Sequence, residues 1–166
     1  MPDDTAGQVQ IEQASASDAD AILALQKLAY RSEAEIYDDF EIAPLRQTPA
    51  EMQEDLARQV VLKAMLDRRI VGSVRGYERD GTCYIGRVIV DPARQNRGIG
   101  ARLMAAIEER FRGVRRYELF TGHRSERNLY LYRKLGYVPF RTEAASDRLR
   151  IVFLEKAAAA DRAPRL

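Results

Sequence analysis

The sequence contains one cysteine, Cys83, so no disulfide can form within the chain and a reducing compartment fits the composition. No apolar run is long enough to span a bilayer, and the first residues lack the pattern of a signal peptide. The 27 basic and 25 acidic residues leave a net charge of +2, which provides no overall field for nucleic acid or a membrane surface. We therefore predict a cytoplasmic protein that binds neither nucleic acid nor membrane, and no metal site is predicted.

Length and composition indicate one globular domain. The 166 residues are enough for a hydrophobic core, and a content of 46% hydrophobic and 31% charged residues is ordinary for a soluble fold. The first residues are polar and the last ones are typical of a frayed tail. We predict a domain over residues 9–156, a flexible N-terminus at 1–8 and a flexible C-terminal tail at 157–166.

Hydrophobic periodicity predicts the element order β-α-α-β-β-β-α-β-α-β-β. The predicted strands are 9–12, 60–66, 70–77, 82–90, 116–121, 137–140 and 149–154, and the predicted helices are about 18–32, 49–58, 101–112 and 125–135. The acidic segment 33–47 is predicted to be irregular, and Asp80-Gly81 predicts a hairpin turn. This order indicates an α/β fold of the mixed α+β kind, with a central mixed sheet of six to seven strands flanked by four helices.

The segment Gln95–Gly100 carries the strongest functional signal. It reads Gln-Asn-Arg-Gly-Ile-Gly and joins a strand ending at Val90 to a helix. Glycines at a helix start let the backbone approach a ligand, and the N–H groups there lack intrahelical partners, so such a start binds anions. Arg94 and Arg97 add positive charge. The segment predicts a pyrophosphate site, but Leu103 replaces the third glycine of a dinucleotide fingerprint and no P-loop Gly-Lys-Ser/Thr follows.

In this context the segment resembles the acetyl-CoA-binding motif of the GNAT N-acetyltransferase superfamily, Gln/Arg-x-x-Gly-x-Gly/Ala after a strand that ends near Asp-Pro. Gln95, Gly98 and Gly100 match its fixed positions. The resemblance implies the GNAT fold over nearly the whole chain and acetyl-CoA (coenzyme A) as cofactor. The implied cofactor-binding residues are Val88, Ile89, Val90, Gln95, Asn96, Arg97, Gly98, Ile99, Gly100, Ala101 and Asn128.

The resemblance also gives a role to the strand before the turn. Backbone groups of Val88–Val90 are implied to pair with the pantetheine arm as an added strand does. Neighbouring parallel strands that separate after Val90 would leave those groups available. A backbone N–H near Ile89 or Val90 is implied to polarise the thioester carbonyl.

A second motif lies in the segment Asn128–Tyr137, which resembles the family signature Leu-Tyr-x-x-x-Gly-Phe/Tyr. The resemblance implies that Tyr132 is the catalytic general acid for the departing thiolate. A half-buried aromatic side chain on an amphipathic helix is the alternative. Ser125 stands where many members have an asparagine, so either Ser125 or Asn128 is the candidate for contacting coenzyme A, and we favour Asn128. Arg127 and Arg133 are candidates for its phosphates.

The sequence leaves the general base open. Some members of the family use a glutamate on the strand before the glycine turn, but residues 82–90 contain no carboxylate. Glu118, Glu78, Tyr84 and His123 are the candidates, each with a structural alternative. Nothing near Cys83 indicates a lowered thiol pKa, so we favour direct attack by the acceptor over a covalent acetyl-enzyme.

An acidic, aromatic segment is the candidate acceptor wall. Glu35, Asp38 and Asp39, interleaved with Tyr37 and Phe40, are predicted to bind a cationic amine, and a solvated acidic loop is the alternative. The predicted function is acetyl-CoA-dependent N-acetyl transfer to a primary amine of a small molecule, an amino acid or a peptide N-terminus. A non-catalytic acyl-CoA-binding or sensing module of the same fold is the other reading. Dimers are common in the resembling family, so a homodimer is compatible with it.

Overall fold

The structure, a computed structural model, describes residues 8–159. Seven strands form one sheet in the order β1-β2-β3-β4-β5-β7-β6. Their bounds are β1 Gln10–Gln13, β2 Val60–Leu66, β3 Arg69–Arg79, β4 Thr82–Val90, β5 Arg116–Gly122, β6 Val138–Ala144 and β7 Arg150–Ala157. Among the strands of residues 8–159, only β4 and β5 pair in parallel, because the chain between them crosses over through a helix. The predicted mixed sheet is confirmed.

The helices are α1 Ala19–Ala29, α2 Arg31–Tyr37, α3 Ala43–Arg46, α4 Pro49–Arg58, α5 Ile99–Arg110 and α6 Glu126–Lys134, with 3₁₀ turns at Ala16–Asp18 and Pro92–Arg94. Within residues 8–159, none of them has the length and apolar character required to cross a bilayer. Of the predicted flexible termini 1–8 and 157–166, residues 1–7 and 160–166 lie outside the described residues. β7 extends to Ala157, and Ala158 is buried against the sheet.

The prediction that residues 33–47 are irregular is wrong in two places, since α2 and α3 lie there. Helix α2 has only seven residues, too short for a clear periodic signal, and it buries Ala34 and Tyr37 on one face. Tertiary packing of such a face stabilises short helices that would be marginal alone. Helix α2 ends at Asp38, which has a left-handed φ of 48°.

Other local signals act as predicted. At the start of α4, the Thr48 hydroxyl accepts from the Glu51 N–H at 3.2 Å, and the Glu51 carboxylate accepts from the Thr48 N–H at 3.0 Å. The Asp80-Gly81 turn between β3 and β4 has φ of 50° and 82°, as two-residue hairpins of type I′ require.

Helices cover both faces of the sheet. Helix α5 lies on one face, and its Leu103, Met104 and Ile107 are fully buried in the larger core cluster. Helices α1 and α4 lie on the other face, where Ile22 and Met52 pack against β2. β4 and β5 separate toward one end of the sheet.

The separation of β4 and β5 begins earlier than predicted. The two strands pair only at Thr82–Tyr84, opposite Arg116–Glu118, and not as far as Val90. Beyond that point β4 stays beside β3, and β5 stays beside β7. Within the described part of the chain, no strand pairs with residues 85–90 on the β5 side. Backbone groups along this edge therefore face a gap.

A β-bulge in β4 accounts for the bend. Ser73 pairs with Ile89 and Arg75 pairs with Gly86, so that Val74 alone faces the two residues between them in β4. Arg87, the first of these two, has a left-handed φ of 50°. A bulge of this kind bends its strand and increases the local twist. Here it directs the end of β4 away from β5.

A substitution at Gly72 tests how closely β3 packs against β4 and α5. A Cβ at Gly72 would stand 2.9 Å from the Ile89 carbonyl oxygen and 2.9 Å from a Leu103 methyl group. We expect Gly72→Ala to lower the free energy of unfolding by about 1–3 kcal/mol through overpacking, as measured by urea denaturation. Gly86→Ala is the control, since its Cβ would meet nothing within 4 Å. Equal stability of the two variants would contradict the packing described here.

Candidate active site

The glycine turn leads from the end of β4 into α5. Asn96 and Gly98 both adopt left-handed backbone conformations, with φ of 62° and 83°. Gly98 is the N-cap of α5, no side chain caps this helix start, and no acidic residue lies in its first turn. The first N–H groups of α5 are thus available to an anion, which the helix dipole also favours. The fold thus gives the sequence-predicted segment the local geometry of a phosphate site.

Two further observations fit coenzyme A at this turn. Within residues 8–159, the buried Nε of Arg94 has no hydrogen-bond partner, which suits a position beside an anion. A Cβ at Gly100 would stand 3.3 Å from Leu131 of α6 and 3.8 Å from Val90 of β4. Gly100 therefore lies where the end of β4, the start of α5 and α6 meet. The residues present fit the diphosphate and arm of the cofactor.

The predicted strand residues line the gap between β4 and β5. Ile89 is buried, and Val88 and Val90 are partly buried. All three lie beyond the last paired residues of β4 and β5, so the strand keeps an edge facing the gap. This edge is the position in which an extended chain can add to the sheet.

Tyr132 lies on the buried face of α6, and only 5% of its surface is exposed. Its ring packs edge-on against Tyr137 at 6.1 Å. Burial raises its pKa far above the ordinary value, and the nearby Tyr30 and Glu33 raise it further. The phenol therefore keeps its proton at physiological pH. Tyr130, two residues earlier, is 70% exposed and belongs to the surface.

A polar cluster that the sequence did not indicate joins α2 to the start of α6. Glu33 accepts a short hydrogen bond from the Ser125 hydroxyl, and the Ser125 Oγ lies 2.8 Å from the Tyr37 hydroxyl. Asn128 donates to Thr121 at 3.2 Å and faces Glu33 at 3.5 Å. Both residues considered for coenzyme A, Ser125 and Asn128, thus contact Glu33. Their contact with the cofactor stays a prediction.

The predicted acceptor residues lie on the outer side of this cluster. Glu35 and Asp38 are exposed, and Asp39 is partly buried. Asp38 forms an ion pair with Arg148 at 3.3 Å, while Asp39 accepts from the backbone N–H of Glu41 at 2.9 Å. We call Glu35, Asp38 and Asp39 the acidic rim. Glu33, on α2, is near enough to Tyr132 to raise the pKa of its hydroxyl.

The structure gives other partners to three of the residues considered as bases, Glu118, Tyr84 and His123. Glu118 is ion-paired with Arg116 at 3.0 Å, and Tyr84 stacks on Tyr77 with ring centres 5.3 Å apart. The Nδ1 of His123 accepts from the Arg150 N–H at 3.0 Å, which ties β5 to β7. These contacts favour the structural alternative for each residue.

Cys83 is buried in the core and forms no disulfide. Burial raises the pKa of its thiol to about 12, with Glu78 and Glu108 adding to the effect. A thiol with such a pKa is a poor nucleophile, because the thiolate is the reactive form. This supports direct attack by the acceptor.

The mixed sheet and the uncapped, glycine-rich helix start are the features expected of the class that the two sequence motifs resemble. The profile of the Acetyltransferase (GNAT) family matches residues 20–137, so the chain belongs to the GNAT acetyltransferase family. This confirms the family predicted from the two motifs, and acetyl-CoA is the cofactor that the family uses. No curated protein matches the chain in sequence.

Solved structures share the fold at low sequence identity. The PaiA N-acetyltransferase of Thermoplasma acidophilum in complex with coenzyme A has a TM-score of 0.73 and 14% identity, over 90% of this chain and 98% of that chain. YncA of Salmonella typhimurium with its cofactor acetyl-CoA has a TM-score of 0.72 and 19% identity, over 95% and 98% of the two chains. A GNAT-family acetyltransferase of Streptococcus pneumoniae has a TM-score of 0.69 and 20% identity, over 90% and 99%.

Gly98 provides the test of the phosphate site. A β-branched side chain is unfavourable at φ of 83° and would cover the N–H groups of the helix start. We expect Gly98→Val to raise the Kd for coenzyme A by about tenfold or more, equivalent to about 1.4 kcal/mol, in calorimetric titration. Gly113→Val is the matched control, because a Cβ at Gly113 meets nothing within 4 Å. Unchanged affinity in Gly98→Val would remove the turn from the binding site.

Proposed function

We propose that the protein transfers the acetyl group of acetyl-CoA to a primary amine by direct attack within a ternary complex. The gap between β4 and β5 is the observation that carries the proposal. The uncapped start of α5 follows the end of β4 beside this gap, and the buried, protonated Tyr132 lies on the neighbouring helix α6. Membership of the GNAT family supports acetyl transfer as the reaction. The acceptor class, an amine of a small molecule, an amino acid or a peptide N-terminus, is the finer part of the proposal.

The residues that would hold acetyl-CoA follow from the site. Backbone N–H groups of Ile99, Gly100 and Ala101 would bind the diphosphate, with Arg94 and Arg97 adding charge. The open edge of Val88–Val90 would pair with the pantetheine arm. When bound, the cofactor supplies a thioester whose carbonyl carbon is the electrophile. A backbone N–H near Ile89 or Val90 would polarise that carbonyl.

Tyr132 is the proposed general acid. Its raised pKa keeps the hydroxyl protonated, so it holds the proton that a departing thiolate requires. Among residues 8–159, no side chain or backbone group forms a hydrogen bond with the hydroxyl, which leaves it available to a ligand.

Turnover by the wild-type chain tests the function directly. Release of free thiol from acetyl-CoA would be followed with polyamines, amino acids, aminoglycosides, arylamines and short peptides, together with calorimetry of coenzyme A. We expect coenzyme A to bind and one amine class to be acetylated. Binding without turnover on any class would favour the sensing module, and absence of binding would contradict the whole account of the site.

Tyr132→Phe tests the acid. Since general acid catalysis contributes about 10²–10⁴-fold, we expect kcat to fall by about 100-fold while the Kd for coenzyme A changes little. Tyr130→Phe on the same helix is the control, because Tyr130 is 70% exposed and we expect it to behave as wild type. Equal rates for the two variants would assign Tyr132 to packing alone.

The acidic rim gives a test of acceptor binding. Neutralising Glu35, Asp38 and Asp39 together should raise the KM for a cationic amine and leave kcat nearly unchanged, since exposed charges attract the ligand without touching the reacting atoms. The rise in KM should shrink at high salt, because exposed charges are screened. A KM that the triple substitution leaves unchanged would make the rim an ordinary solvated surface.

A further inference from the structure

Glu33 is the carboxylate that the fold brings to Tyr132. It lies on α2, whereas Ser125 and Asn128, which contact it, lie at the start of α6. Glu33 is half-buried, and the raised pKa of Tyr132 records its electrostatic influence there. A carboxylate in such a position has to be stabilised by hydrogen bonds or by a cation.

The hydrogen bonds around Glu33 all donate toward its carboxylate. The backbone N–H of Arg124 donates to the Tyr37 hydroxyl at 2.9 Å, so that hydroxyl keeps its own hydrogen for Ser125, at 2.8 Å. Ser125, which is 1% exposed, then donates to Glu33 Oε2, because an ionised carboxylate can only accept. The chain of donors thus ends on one oxygen of Glu33.

The second oxygen of Glu33 is much less engaged. Its only hydrogen-bond partner in the described chain is the Asn128 amide at 3.5 Å, the outer limit for a hydrogen bond. One oxygen is therefore fixed by Ser125 and the other, Oε1, is available to a ligand donor. This is the arrangement of a base that is oriented through one atom and reacts through the other.

Gly122 is required for this arrangement. A Cβ at Gly122 would stand 2.0 Å from the Tyr37 hydroxyl and 3.0 Å from the Ser125 Oγ. Only glycine therefore lets Tyr37 and Ser125 meet at the end of β5.

We propose that Glu33 binds the ammonium group of the acceptor and accepts its proton at Oε1, acting as the general base of acetyl transfer. The inference rests on the proposed function and supplies the base that β4 lacks. Burial raises the pKa of Glu33, which makes it a stronger proton acceptor than an exposed glutamate, while Ser125 and Arg127 act in the opposite direction.

With Tyr132 as the general acid, every proton of the reaction is accounted for. An acceptor R–NH3⁺ gives one proton to Glu33, and the free amine forms the C–N bond as the C–S bond of the thioester breaks. The sulfur takes the proton of the Tyr132 hydroxyl, and the second proton lost by the nitrogen restores that hydroxyl. Glu33 releases its proton to solvent. The products are the N-acetylated amine, the coenzyme A thiol and one proton.

Glu33→Gln is the direct test, with the best amine of the wild-type panel as acceptor. We expect kcat/KM to fall by about 100-fold, as for loss of a general base, with the Kd for coenzyme A unchanged. Formate added to Glu33→Ala should restore part of the rate, because it supplies the missing carboxylate. The control is Glu109→Gln on α5, since Glu109 is 71% exposed and pairs only with Arg112 at the surface.

The Ser125→Ala variant distinguishes a catalytic base at position 33 from a glutamate that is only structural. The Ser125 hydrogen bond lowers the pKa of Glu33, so its loss should raise that pKa and move the acidic limb of the kcat/KM profile to higher pH. A ¹³C NMR titration of the Glu33 carboxyl, assigned by its absence in Glu33→Gln, should show the same rise without any cofactor present. The other titratable and charged groups that interact with Glu33 are Tyr30, Arg127 and Tyr132, with Arg87 acting through Tyr30. Tyr37 is linked to Glu33 through Ser125.

The outcomes are distinct. Wild-type turnover that Glu33→Gln leaves unchanged, or an acidic limb that Ser125→Ala does not move, would overturn the assignment of Glu33 and leave the proposed function intact. Absence of turnover by the wild-type chain on every amine would overturn both. A rate loss in Glu33→Gln that formate partly restores in Glu33→Ala would support the assignment.

Discussion

The brief parallel pairing of β4 with β5 is the constraint on which the rest of the structure depends. Three residue pairs hold the two strands together, and beyond Tyr84 and Glu118 each strand follows its other neighbour. The bulge at Arg87 bends β4 at this point. A fully paired sheet would have used these backbone groups internally. The gap instead offers a ligand an open strand edge within an otherwise continuous sheet.

Elements far apart in sequence come together around this gap. Leu131 of α6 reaches Gly100 at the start of α5, and Ser125 reaches Glu33 on α2. One contact closes the cofactor side and the other the proposed acceptor side. Tyr132 follows Leu131 on the same helix, and Glu33 raises its pKa. The proposed proton donor, Tyr132, and the proposed proton acceptor, Glu33, are close enough to interact electrostatically. Such interactions are stronger in a buried site than in water.

A buried polar network holds the acceptor side in place. Arg75 of β3 donates to Asp55 and Gln26, and Gln26 donates to the Pro44 carbonyl at 3.0 Å and to Gln47 at 2.8 Å. These bonds join α1, α3 and α4 to the sheet just beside the bulge. Satisfied buried networks of this kind fix one arrangement, because an unpaired member would be costly. The network gives the short helix α3 a defined position.

The features that the sequence predicted are local ones. The glycine turn, the α4 capping box and the Asp80-Gly81 hairpin depend on residues within one segment, so their spacing is visible in the sequence. Glu33 and Ser125 are 92 residues apart, and nothing in either segment indicates that they meet. Helix α2 was missed because seven residues give little periodicity, and the early separation of β4 and β5 depends on a bulge that no residue type specifies.

Amide hydrogen exchange with and without saturating coenzyme A tests the central claim most directly, since it reports on the backbone and needs no acceptor. The account predicts slower exchange along residues 85–90 and at 98–101 when coenzyme A is bound, with the β1–β2 pair unchanged. Protection confined to other surfaces, such as the outer face of α6, would show that the gap between β4 and β5 is not the cofactor site.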